Sequence, residues 1–184
     1  MSPILPYDVI ALIIDIVEEN KDTKLLKELA LVSHSFHQIC SKHLFATVYL
    51  YDGVYFPSSK KGFVKLVKSR PSVVNYIRKL MYEAGHNNDD HLLSPILSNF
   101  HPTISRLNCL VIDASFLAWN TLDSSLTSAF VHLMSLPTIN HIDLSRIGYF
   151  PLSSLTSSVN LLRLDISYLR LFDYHGEDTF FKTF

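Results

Sequence analysis

Nine histidines in 184 residues are the first chemical resource to weigh. His34 and His37 stand three apart, and Cys40 and His43 follow at the same step. On a helix that spacing brings side chains onto one face, and imidazole and thiolate are ordinary zinc ligands. A closed zinc site needs four of them, and beyond His34 and His37 the nearby candidates are Cys40 and His43. The plainer reading is a short helix carrying polar or interface histidines, so no metal and no cofactor is expected. A Ser–His–Asp site can draw its members from anywhere in a chain. With this many serines such triples arise by chance and mark no position. The nucleotide, hydrolase and metalloprotease signatures GxGxxG, Walker loop, GxSxG and HExxH are absent, as is any CxxC pair. The five glycines, at 53, 62, 85, 148 and 176, are not spaced to cradle a phosphate. No catalytic residues are assigned, and the chain is not expected to be an enzyme.

Two other groups invite a functional reading. Lys60, Lys61, Lys65, Lys68, Arg70, Arg78 and Lys79 run without an acidic residue among them. They read either as a contact for an acidic partner or, more simply, as the solvated face of a helix and a strand edge. Tyr49, Tyr51, Tyr55 and Phe56 form one aromatic cluster, and Phe172, Tyr174, Phe180, Phe181 and Phe184 form another. Aromatic side chains are enriched at interface hot spots, although the terminal group serves equally well as a cap on a last repeat.

Composition narrows the class. Sixteen Lys and Arg against 17 Asp and Glu leave a net charge of −1, which removes the electrostatic basis for nucleic-acid binding. A hydrophobic fraction of 48% is too high for a disordered chain. Cys40 and Cys109 are too few for a disulfide framework and read as reduced, buried and inert. The apolar run Val9–Val17 is broken by Asp15 and lacks a preceding basic residue, so it is no signal peptide. The uncharged stretch Ser124–Ile142 carries Ser, Thr, Asn, two His and Pro137, the wrong chemistry for hydrocarbon. A soluble intracellular protein of the cytoplasm or nucleus is expected.

The elements that would hold these side chains fall into two kinds. The first 45 residues read as three short helices. Pro6 suits a first helical position and Asp8 the positive helix end. Val9, Ile10, Leu12, Ile13, Ile14, Ile16 and Val17 then fill an apolar arc of about 200°, wider than one core face uses. Asp22 or Thr23 can cap a second helix with the stripe Leu25, Leu26, Leu29 and Val32, from which Leu31 points away. A third helix starts near Ser33 or Ser35 and carries Phe36, Ile39, Cys40 and Leu44.

Beyond residue 45 a short strand-like element recurs five times. Its middle residues are Val48, Leu80, Leu110, Ile142 and Leu164, spaced by 32, 30, 32 and 22 residues. Self-similarity at such a period marks a repeat array. Helical spacing lies between the elements, at Phe63–Val67, Leu92–Phe100 and Leu126–Met134, with room for only a turn at Leu152–Leu155. Asn87-Asn88-Asp89-Asp90 reads as a polar loop after Gly85. Strand then helix, repeated, implies parallel strands joined by crossovers: an α/β solenoid.

The N-terminal pattern resembles a known family. Leu5-Pro6-x-Asp8-x-x-x-x-Ile13-Ile14, then Leu29-x-Leu31-Val32-Ser33-x-x-Phe36, then Leu44-Phe45 is similar to an F-box, a three-helix unit that docks on the Skp adaptor of a cullin–RING ubiquitin ligase. The match runs from Leu5 to about Leu50. The later layout, with Pro71-x-x-x-x-Tyr76-Ile77-Arg78-x-Leu80, resembles F-box proteins abundant in mushroom-forming fungi. Asp8 stands where Glu is usual in that family, and Phe36 where Trp is common. The loop proline between the first two helices is missing. In the repeats Gly85, Ser115, Ile147 and Leu169 replace the asparagine of regular leucine-rich repeats.

The resemblance implies an F-box helical domain over residues 1–50 and a short, irregular leucine-rich-repeat-like region over 51–184, with no clear stop or polar cap after Phe172. It implies a non-catalytic substrate receptor whose helices bind the Skp adaptor, and through it a cullin–RING ligase, while the repeats hold a target protein. The adaptor-binding residues expected are Leu5, Pro6, Ile13, Ile14, Leu31, Val32 and Phe36. Neither a nucleic acid nor a membrane is an expected partner. The rival reading is a stand-alone leucine-rich-repeat interaction scaffold with no ubiquitin-ligase role, and a third is a small hydrolase with one reactive serine.

Overall fold

The computed structural model of the chain describes residues 5–51, 59–85, 88–171 and 179–181. Tyr55, Phe56, Asn87, Phe172, Tyr174 and Phe184 lie outside them, as do the side chains of Phe180 and Phe181. The chain divides into two compact units, Met1–Thr47 and Val48–Phe184.

The first unit contains α1 (Tyr7–Glu19), α2 (Thr23–Leu29) and α3 (His34–Leu44). Pro6 sits one position earlier than expected, as the residue that caps α1. Asp22 accepts from the Leu25 N–H at 2.9 Å and Ser33 from the Phe36 N–H at 3.3 Å. Each supplies an acceptor for an orphan donor in the first turn of its helix. Lys21, between α1 and α2, takes a left-handed conformation with φ 55°. The three helices close over a small core of Ile10, Ile14, Val17, Leu26, Phe36, Ile39 and Cys40.

The second unit is α/β. Its main sheet has the order β1 (Thr47–Leu50), β2 (Lys79–Glu83), β3 (Cys109–Asp113), β4 (His141–Ser145) and β6 (Arg163–Ser167). The pairings β2–β3, β3–β4 and β4–β6 are all parallel. Leu80, Leu110, Ile142 and Leu164 are aligned across the four strands, and so are Tyr82, Ile112, Leu144 and Ile166. These are the corresponding residues of the sequence repeats. A one-residue slip would turn every one of them to the other face, so the apolar pattern sets the register.

Helices α4 (Ser59–Ser69), α5 (Ser94–Leu97) and α6 (Ser124–Met134) fill the crossovers. Phe63, Val67, Ile96, Leu97, Phe130 and Leu133 from them share one core with the inward residues of the sheet. Inside it, Trp119 packs edge-on against Phe150 at 4.8 Å between ring centres, and Tyr82 against Phe130 at 4.9 Å.

Four features depart from the sequence reading. The segment Leu92–Phe100 is not one helix but a 3₁₀ turn over Asn88–Leu92 followed by the short α5. Pro95 lacks the N–H that a continuous helix would need there, so the helix restarts around it. The expected polar loop is therefore partly 3₁₀ turn. A second, three-stranded sheet of β5 (Gly148–Phe150), β7 (Leu169–Leu171) and β8 (Thr179–Phe181) was not foreseen. Gly148 bridges to Ala118, and a Cβ on it would lie 3.3 Å from the Ala118 Cα, so only glycine fits without a shift.

The fourth concerns Lys60, which is no part of a solvated face. It is wholly buried, its ammonium 2.6 Å from Asp90 Oδ1 and over the ring of Tyr82. Tyr82 donates its hydroxyl to the other Asp90 oxygen at 2.7 Å. A buried cation needs such a paired environment to be tolerated at all.

Candidate docking surface

The apolar arc of α1 divides in two. Ile10, Ile14 and Val17 turn into the helical unit's own core. Val9, Leu12 and Ile16 form a second i, i+3, i+7 series centred about 130° away at 100° per residue. These three are exposed, Leu12 at 61% and Ile16 at 51%. Leu5 and Tyr7 at the head of the helix are exposed as well. After α2, Leu31 at 86% and Val32 at 64% stand in solvent on the turn leading to Ser33. Isolated exposed apolar residues are ordinary; here Val9, Leu12 and Ile16 share one face of α1, and Leu31 and Val32 are adjacent after α2.

Of the seven residues expected to bind a partner, Leu5, Pro6, Leu31 and Val32 are exposed and Ile13 is half-buried. Ile14 and Phe36 are not available. They are at 0% and 7% exposure in the unit's own core, because a three-helix unit this small must spend its largest central side chains on itself. Conversely, Leu12, Ile16, Val9 and Tyr7 belong with the exposed set and were not singled out. Val9, Leu12 and Ile16 are the second half of the wide apolar arc, whereas Tyr7 lies outside it.

Polar contacts tie α1 to α3. His43 of α3 lies 2.9 Å from Glu18 and 3.7 Å from Asp15, both on α1. Lys42 reaches the Tyr7 hydroxyl at 3.5 Å. Three of the four zinc candidates point to different partners: His34 meets the Gln38 side chain, Cys40 faces the core, and His43 is engaged by Glu18. Burial pushes the Cys40 thiol up from its ordinary value. Among the described residues only Asp15, Glu18 and His43 bring three metal-ligating atoms close together.

In the second unit a groove of about 290 Å³ lies on the sheet face away from the helices, lined by Tyr49, Tyr51, Met81, Glu83, Val111 and Asp113 among others. At one end Arg146, in a left-handed conformation with φ 52°, donates to Asp113 from Nε at 2.9 Å and from a second nitrogen. Its guanidinium lies 5.7 Å from the centre of the exposed Phe116 ring. No family model, curated protein or solved structure matches the chain. No helix among the described residues is long and apolar enough to cross a membrane.

Proposed function

We propose that the chain is a non-catalytic substrate-receptor subunit of a Skp–cullin–F-box ubiquitin ligase. Its N-terminal helices form an F-box that binds the Skp adaptor, and its second unit is a short, irregular leucine-rich-repeat-like solenoid that holds a target protein. The observation that carries the reading is the set of apolar side chains left in solvent on α1 and after α2, where the F-box-like residues Leu5, Pro6, Leu31 and Val32 fall. The sequential order of parallel strands supports the solenoid reading.

A contact of this kind buries about 800 Å² on each side, with a few central apolar residues carrying most of the energy. The exposed Leu12, Ile16, Leu31 and Val32 are those residues here, together with Leu5 and Pro6. Ubiquitin transfer is then a matter of proximity: the receptor raises the local concentration of the target's lysines near a charged thioester held elsewhere in the complex.

Co-expression with a Skp adaptor tests this. The adaptor is expected to co-purify with the parent chain and to be lost from Leu31→Asp and Leu12→Asp. Retention of the adaptor by both variants would remove the proposed surface. A stable monomer with no adaptor affinity would favour the stand-alone scaffold instead.

A further inference from the structure

Register places a thiol, an imidazole and a carboxylate in line on the open face of the sheet. Cys109 of β3 is aligned with His141 of β4, which is aligned with Arg163 of β6. Cys109 Sγ is 3.3 Å from His141 Nδ1. His141 Nε2 is 2.8 Å from Asp165 Oδ2, and the Arg163 Nε donates to the same oxygen at 2.8 Å. With Asp165 accepting from Nε2–H, Nδ1 is left as the acceptor for the Cys109 S–H. This thiol, expected to be inert, has a base on it and an orienting group behind the base.

We propose that Cys109, His141 and Asp165 form a peroxide-reactive thiol site, in which Cys109 is oxidised to a sulfenic acid. Two observations choose hydrogen peroxide over a larger electrophile or an acyl group. Cys109 is only 8% exposed, so the reagent has to be small. Acyl transfer also needs free N–H donors for an oxyanion, whereas β3 is paired on both sides and the Cys109 N–H is already given to the Arg78 carbonyl.

The step balances without a further component. The thiol proton passes to His141 Nδ1 as sulfur attacks one peroxide oxygen. An S–O bond forms, the O–O bond breaks, and the leaving hydroxide takes the proton from the imidazolium and departs as water. Sulfur loses two electrons and the peroxide gains them, leaving Cys109–SOH. Burial, with Asp143 and Asp165, raises the thiol from its ordinary value, while Lys79 and Arg163 pull it down. The resting group is a thiol, and His141 must remove its proton during the encounter. The site does not depend on the adaptor-docking reading.

The test is exposure of the folded chain to a hydrogen peroxide series, followed by removal of the peroxide and dimedone labelling under denaturing conditions, read by peptide mass spectrometry. Cys40, buried among apolar side chains, is the internal control. Cys109 is expected to label at least about tenfold faster than Cys40, and His141→Ala to abolish that advantage, since a positioned base contributes about 10²-fold or more. Imidazole in solution is expected to restore part of the rate in His141→Ala, which a purely structural role would not allow. Asp165→Asn is expected to slow labelling and Asp165→Glu to keep it. Equal labelling of both cysteines in the folded parent would overturn the proposal. So would an unchanged Cys109 rate in His141→Ala. Should His141→Ala unfold, seen as new labelling of Cys40, an unchanged rate in Asp165→Asn would overturn it.

Discussion

At the scale of single residues, burial decides what each apolar side chain can do. Leu31 and Ile14 are both aliphatic members of the F-box-like pattern, yet one is 86% exposed and the other 0%. Ile14→Ala is expected to cost about 2–5 kcal/mol, because it opens a cavity in a core of seven buried residues. Chemical denaturation of the parent and variant measures it. Leu31→Asp is expected to change stability by no more than about 0.5 kcal/mol.

Lys60 gives a third expectation at this scale. Lys60→Ala leaves Asp90 short of its closest cation in a part-buried site and should destabilise by about 3–5 kcal/mol, again by denaturation. Asp143 tests the electrostatics of the open sheet face. Burial, then the neighbouring Asp165 carboxylate, raises its titration above the ordinary aspartate value. Its ionised form therefore opposes folding at neutral pH. Asp143→Asn should melt at a higher temperature than the parent near pH ~7, with the difference closing as pH falls through the raised native value and gone below ~4, the ordinary aspartate range.

At the scale of elements, local chemistry was legible wherever one segment specifies itself. The starts of α2 and α3 were readable to within two residues, as Asp22 or Thr23 and Ser33 or Ser35, because an oxygen side chain before an apolar run can cap; the structure uses Asp22 and Ser33. Asp22→Ala should cost about 1 kcal/mol of thermal stability. The aligned residues of β2, β3, β4 and β6 were readable from the repeats alone. The division of the α1 arc was not, because a wheel shows that apolar surface is in excess but not which side the neighbouring helices take. Pro95 was visible as a helix breaker, yet the helical spacing of Leu92, Leu93, Ile96 and Leu97 masked it. The strands β5, β7 and β8 are three residues each, too short for alternation to register. His141 escaped notice because its partners, Cys109 and Asp165, are 32 and 24 residues away.

At the scale of the molecule, one chain joins a helical unit with unspent apolar surface to an α/β unit with an ordered parallel sheet. In the proposed reading the helical unit binds a Skp adaptor and the α/β unit a target protein. That division of labour stands on the exposed residues of α1 and the turn after α2. Calorimetric titration of the purified chain with a Skp adaptor, alongside Leu12→Asp and Leu31→Asp variants of unchanged melting temperature, tests it most directly. Saturable one-to-one binding is expected for the parent, weakened by at least about 2 kcal/mol, roughly 30-fold, in each variant. Heat changes that are absent for the parent, or identical for parent and both variants, would contradict it.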